Sequence, residues 1–172
     1  MKLLSKEKIG FSNDKFEKLS WDKFEKLSNI IVNDIFISNF HLEKVSLLGI
    51  ARGALPLLSY VSHHTKIRDL SICQLKMTNS DKPFDYGTSS ILLKAIRNDF
   101  DKFIIFEDII FRGQTIKLVQ DEIYKENKAI LAIYSLLVDE SYEKKFITAQ
   151  VRSAALVKQN HWVKFPWESD EL

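Results

Sequence analysis

Apolar residues recur along this chain in short blocks whose spacing switches between helical and strand-like. Phe24, Leu27, Ile31, Ile35 and Phe36 fall at helical spacing and predict a helix over roughly 21–38. Ser20 stands at the N-cap position, and Asp22 puts a negative charge in the first turn, where the helix dipole favours it. Val45–Ala51 is a short apolar run that reads as a buried strand. Arg52-Gly53 then makes a turn, and Ala54–His63 fits a helix with Pro56 in its first turn, where proline is tolerated. Leu70–Met77 reads as a strand. Thr78–Ser90 is polar, holds Pro83 and Gly87, and reads as a long mobile loop of the kind that usually carries function. Ile91–Asn98 reads as a short helix.

The clearest pattern follows. Phe103–Phe106 is a fully apolar strand, Glu107-Asp108 an acidic pair, Phe111–Gln114 a turn, Thr115–Glu126 a helix and Ala129–Val138 another strand. Val151–Trp167 has room for one or two more. Strand, helix, strand in this order predicts an α/β domain with a mostly parallel twisted sheet and flanking helices.

One repeat interrupts the pattern. Asp14–Ser20 recurs identically as Asp22–Ser28, an offset of eight residues. Two copies this short do not make a repeat architecture. The second belongs to the helix, and the first is expected to run extended or irregular into the Ser20 cap, with context rather than propensity deciding between them.

Composition narrows the class. The length of 172 residues fits one domain with a buried core. A hydrophobic share of 45% and a charged share of 28% are those of a globular protein. The 25 basic and 23 acidic residues are interleaved, with no basic patch longer than Lys144-Lys145, so nothing points to nucleic acid. Cys73 is alone and cannot form an internal disulfide. The first residues lack the apolar run of a signal peptide, and no segment approaches the ~20 apolar residues of a membrane span. A cytoplasmic protein is the expectation. His63 and His64 sit near a helix end, where a cation is favourable; His41 and His161 have no companion at metal-ligand spacing.

The acid–acid–turn–helix unit carries the chemistry. Ligands of open α/β sheets bind beyond the carboxyl ends of the strands, where Glu107 and Asp108 would sit. Arg112-Gly113-Gln114-Thr115 presents successive backbone N–H groups and a helix N-terminus, which is an anion site. Carboxylates beside a phosphate loop hold sugar hydroxyls or a hydrated Mg²⁺. The bland alternative is that the acids only end the strand and Gly113 only turns the chain.

Phe103–Thr115 resembles the phosphoribosyl pyrophosphate (PRPP) motif of type I phosphoribosyltransferases: four apolar residues, two acids, a short variable stretch, Gly and a closing Thr or Ser. Three other segments fall in that family's order, closest to its xanthine-guanine and hypoxanthine-guanine branch. Trp21–Phe24 resembles an N-terminal helix start, Gly49–Pro56 a pyrophosphate loop, and His161–Glu168 the C-terminal segment that covers the purine. The resemblance spans about residue 20 to the end. It implies one domain over 1–172, with an N-terminal extension over 1–20 and a hood over 140–172.

It also implies roles. Glu107 and Asp108 hold the ribose hydroxyls and, with Glu168, the Mg²⁺ side of the site, while Arg112, Gly113, Gln114 and Thr115 cradle the 5′-phosphate. Arg52 and Gly53 hold pyrophosphate in a loop that often carries a non-proline cis peptide. Trp162 stacks on the base, the Val163 backbone reads its edge, and loop 78–90 closes over the site. Glu107, Asp108 and Arg52 are the catalytic candidates. The implied partners are PRPP, a purine-like base or nucleotide, and further copies of the chain.

Two departures cut across this. Phe111 stands where active 6-oxopurine enzymes carry an Asp that handles a purine proton, and a phenyl ring does no acid–base work. Leu136–Asp139 lacks the lysine that donates to the purine 6-oxo group, and such sites discriminate strongly through that partner. Two readings follow. One is a Mg²⁺-dependent phosphoribosyltransferase; the other is a divergent protein of the same fold that binds PRPP or a nucleotide and regulates a partner. A third, a fold that has lost its ligand, is disfavoured by the intact Glu107-Asp108 and Gly113…Thr115.

Overall fold

A computed structural model describes residues 1–5, 8–9, 16–38, 40–76, 90–95, 99–142, 149–158 and 161–168. Its elements in chain order are β1 (Lys2–Leu3), β2 (Lys8–Ile9), β3 (Phe16–Lys18), α1 (Trp21–Ile37), β4 (Val45–Ala51), α2 (Leu55–Thr65) and β5 (Leu70–Lys76). Then come β6 (Ser90–Ala95), β7 (Lys102–Ile110), α3 (Gln114–Lys125), β8 (Ala129–Asp139), β9 (Val151–Val157) and β10 (Trp162–Lys164). The loop expected over 78–90 lies outside the described residues except for Ser90.

Eight strands form one sheet in the order β1-β9-β8-β7-β4-β5-β6, with β2 also beside β9. Its pairs are parallel except β5–β6. The expectation of a mostly parallel α/β sheet holds. β10 and β3 pair in a separate small parallel sheet. The boundary drawn at residue 140 therefore does not follow the sheets: β9 lies in the large one, and the small one takes β3 from the N-terminal segment.

The helix expected over Ile91–Asn98 is corrected: Ser90–Ala95 is a strand antiparallel to β5. A short apolar run such as Ile91-Leu92-Leu93 carries no periodicity that separates strand from helix, and here the open edge of β5 decides. The repeated heptapeptide divides as expected. Its second copy lies in α1, where Ser20 accepts the Lys23 N–H at 3.2 Å, and Phe16-Glu17-Lys18 of the first is a strand.

Helices cover both faces. α1 and α2 bury Leu27, Ile31, Leu57 and Val61 with Ile104 and Phe106 of β7. α3 buries Ile116, Val119 and Ile123 with Phe103 and Ile105. Alternate β7 side chains thus enter opposite cores, which is why that strand reads as an unbroken apolar run.

The crossovers set where a ligand can sit. β4 passes through α2 to β5 on one side, whereas β7 passes through α3 to β8 on the other. β4 and β7 are neighbours, so the sheet has its topological switch point between their carboxyl ends, the place where open α/β sheets bind ligands.

Candidate active site at the sheet switch point

β7 outruns β4. Their pairing ends at Gly49–Phe106, while β7 stays paired to β8 as far as Ile110–Val138. Glu107 and Asp108 therefore lie within β7 rather than beyond it, as the shorter Phe103–Phe106 strand had implied. They still flank the space that β4 vacates by turning at Arg52-Gly53.

That turn packs directly on the acids. A Cβ placed on Gly53 would lie 2.0 Å from Asp108 Oδ2 and 2.5 Å from its Cγ, so only glycine fits. The peptide between Ala51 and Arg52 is cis, and Arg52 is exposed. Beyond the turn, the Leu55 and Ala54 N–H groups donate to Arg52 O and Ile50 O, both at 3.1 Å, carrying the chain into α2.

On the other side, Gly113 caps α3 with φ 76°, a left-handed conformation that favours glycine. As a glycine, the N-cap residue has no side chain with which to close this helix end, and such an N-terminus is a geometry that suits an anion. Arg112 and Gln114 are exposed beside it, and Thr115 is half-buried in the first turn.

The carboxyls are poorly compensated. Burial, then the neighbouring Asp108 charge, pushes Glu107 well above the usual carboxylate range. Among the described residues, Glu107 Oε2 is buried without a hydrogen-bond partner. Burial pushes Asp108 up to about 6; the Ile109 N–H donating to Oδ1 at 2.7 Å opposes this, and the charge of Glu168 adds to it. Glu168 thus lies near enough for Asp108 to feel it, while its own Oε2 accepts the Phe165 N–H at 2.8 Å.

The donor set fits a hard divalent cation in part. An orphaned buried carboxylate oxygen and a second strained carboxyl are what such an ion would relieve. Among the described residues, no group of three or more His, Cys, Asp or Glu side chains is arranged to hold a metal. A Mg²⁺ here would need substrate and water oxygens to complete its shell.

The base side is built differently. Trp162, half-buried, and Val163, buried, lie on β10 in the small sheet. Asp139 is buried at the end of β8, in the segment 136–139 that holds no lysine; its Oδ1 accepts the Ser141 N–H at 2.7 Å and also the Ser141 hydroxyl. Trp21 and Trp167 pack together, ring centroids 6.2 Å apart, with Phe24 against both. His64 stacks on Tyr60 at 4.1 Å.

Sequence reading missed the part of β3, which pairs with β10 residue for residue, Phe16 with Trp162 and Lys18 with Lys164. The only signal was the repeated heptapeptide, half of which had no helical role. Among the described residues no helix is long and apolar enough to cross a membrane.

No protein-family model and no curated protein sequence matches the chain. Solved structures do. A purine phosphoribosyltransferase from Pyrococcus horikoshii Ot3 is similar with a TM-score of 0.69 and 17% identity, over 92% of this chain and 97% of that one. A Helicobacter pylori xanthine-guanine-hypoxanthine phosphoribosyltransferase gives 0.67 and 18%, over 90% and 95%. A hypothetical protein from Neisseria gonorrhoeae with bound ppGpp gives 0.68 and 14%, over 90% and 91%. The chain has the type I phosphoribosyltransferase fold.

Proposed function

We propose that this protein binds PRPP with Mg²⁺ at the β4–β7 switch point and transfers its phosphoribosyl group to a purine-like base, releasing pyrophosphate. The observation that carries this is the convergence of Gly53 on Asp108 beside the uncapped end of α3. The reading is supported by the Arg52-Gly53 turn packed on Asp108, two undercompensated carboxyls, and the Gly113 helix start that follows the same strand.

In this reading Gly113, Gln114 and Thr115 hold the 5′-phosphate through first-turn groups, with Arg112 adding charge. Glu107 and Asp108 accept from the ribose hydroxyls and face the cation, with Glu168 beside them. Arg52 and the Gly53 backbone hold the pyrophosphate. A bound Mg²⁺ would neutralise charge on the departing pyrophosphate. The chain's contribution is positioning of the anomeric carbon and electrostatic support of a cation-like transition state. Trp162 stacks on the base and the Val163 backbone reads its edge.

A second reading, a nucleotide-binding regulator with the same site, is favoured by two observations. Phe111 stands where related enzymes carry a proton-handling acid, and Leu136–Asp139 holds no lysine to donate to a 6-oxo group. The similar Neisseria structure has bound ppGpp.

Thermal shift with PRPP and Mg²⁺ separates the possibilities. A ligand at 100 times its dissociation constant adds about 2.7 kcal/mol of stability. Stabilisation is expected, followed by pyrophosphate release with at least one base from a purine panel. Stabilisation without release from any base would favour the regulator, and no shift with PRPP or any nucleoside monophosphate would end both readings.

A further inference from the structure

Glu107 and Asp108 are neighbours in sequence but leave β7 on opposite faces. Ile105 and its register partner Ile133 lie in the core under α3, whereas Phe106 and its partner Tyr134 lie in the other core, their rings stacked at 5.8 Å. Alternation then sends Asp108 toward Gly53 on the α2 side, and Glu107, with its partner Ser135 on β8, to the α3 side. The Ile109 N–H holds Asp108 there. Glu107 and Ser135 have no such anchor: among the described residues, Glu107 Oε2 and Ser135 Oγ are both buried without a hydrogen-bond partner.

The next strand shows how a serine in this row is satisfied. Ser135 pairs in turn with Ser153 on β9, so Glu107, Ser135 and Ser153 form one row across three strands. The Ser153 hydroxyl donates to Ala155 O at 2.9 Å and is closed on its own strand. Ser135 is wholly buried and makes no equivalent bond, although a buried hydroxyl left open is destabilising. The open serine is the one beside the acid. Adjacent strands lie about 4.8 Å apart, so a change of rotamer in either side chain brings the hydroxyl to the carboxyl.

From this geometry we propose that Ser135 is a positioning residue of the site: in the liganded protein its hydroxyl donates to one Glu107 oxygen and turns the other toward the sugar hydroxyls. Ser135 thereby sets how strongly the site tells a ribose from a deoxyribose without touching either, because a site built to bond a hydroxyl rejects the analogue that lacks it. The inference rests on the proposed function for the sugar that Glu107 holds.

Three variants of the full chain test it: Ser135→Ala, Glu107→Gln and the two combined. Each is titrated by calorimetry with PRPP–Mg²⁺, GMP, 2′-deoxy-GMP and 3′-deoxy-GMP. In Ser135→Ala, affinity for PRPP–Mg²⁺ and GMP should fall by about tenfold, the low end for a hydrogen bond to a charged group. The deoxy analogue that lacks the hydroxyl held by Glu107 should lose less than about twofold. Equal loss for all four ligands, as a general loosening would give, would overturn the inference. Adding Ser135→Ala to Glu107→Gln should change GMP affinity by less than about twofold. A further loss of about tenfold in that background would show that the hydroxyl acts elsewhere, and would also overturn it.

Urea unfolding without ligand gives a readout independent of binding. Removing an orphaned hydroxyl strands no partner, so the Ser135→Ala midpoint should equal or exceed that of the unaltered protein. A lower midpoint would make Ser135 a structural residue and end the proposal. If the unaltered protein bound these ligands and Ser135→Ala bound them as tightly, the inference alone would fail. If the unaltered protein bound none of them, the phosphoribosyl reading would fail and take the role of Ser135 with it.

Discussion

Two sets of acids sit on this fold and are treated in opposite ways: Asp34 is buried, while Glu107 and Asp108 are half-buried. Asp34, on α1, is surrounded by donors: Lys2 and Arg152 reach its carboxylate, and the Tyr134 hydroxyl donates to it at 2.8 Å. Burial alone would push its carboxyl up, but the hydrogen bonds from Lys2, Arg152 and Tyr134 outweigh burial and hold it at about 2. Glu107 and Asp108 receive far less, and both carboxyls are driven up. A buried carboxylate with its own cations is finished structure. In the proposed function, the pair left undercompensated at the switch point is the one that a cation and substrate hydroxyls would complete; strongly shifted acids in a cleft are candidates for function.

The contrast breaks most visibly by substitution. Asp34→Ala strands Arg152, and removing one partner of a buried pair costs about 3–5 kcal/mol; urea unfolding measures it. Asp108→Asn should do the reverse: unchanged or slightly raised stability, with PRPP–Mg²⁺ binding weakened at least tenfold by calorimetry. Equal loss of stability in the two variants would erase the distinction. Gly53→Ala drives a methyl into Asp108 and should weaken the same binding by a comparable factor. A wild-type affinity in that variant would show that the turn does not set the carboxylate.

Acidity separates the two groups further. Asp34 has a lowered carboxyl, so its contribution is full above its unfolded value of 3.8 and is lost as pH falls through about 2. Asp108 is raised, so the folded state holds its proton more tightly; that contribution is full below 3.8 and is lost as pH rises through about 6. Ligand-free stability should therefore decline between pH 4 and 7 at this site, whereas PRPP–Mg²⁺ affinity should rise over the same window as Asp108 ionises. A flat affinity profile would count against the ionised pair as the binding form. The smallest effect is expected at the rim of the first cluster. Lys2 is half-exposed, so Lys2→Met should cost no more than about 1 kcal/mol.

How far the sequence reaches is clear from particular segments. α1, its Ser20 cap, β4, α2, β7, α3 and β8 were all legible, because each pairs a strong periodicity with its own turn residues. The acid pair and the Gly113 turn were legible for the same reason: every part lies within thirteen residues of one strand–turn–helix unit, Phe103–Thr115. β6 was misread as a helix because its conformation is set by the open edge of β5. The donors around Asp34 were invisible, since Lys2, Tyr134 and Arg152 come from three distant places and carry no spacing.

By itself, then, the sequence determined the parallel α/β order and the local strand–acid–acid–turn–helix unit, because short-range patterning is enough to specify a strand, a turn and a helix end. Only the tertiary structure decided that Gly53 bears on Asp108, that Glu168 is close enough to raise it, and that β3 completes the sheet of β10. Those facts depend on which strand edges meet. Edges choose partners by shape and backbone hydrogen bonding across the folded chain, and neither is written in any single stretch of residues.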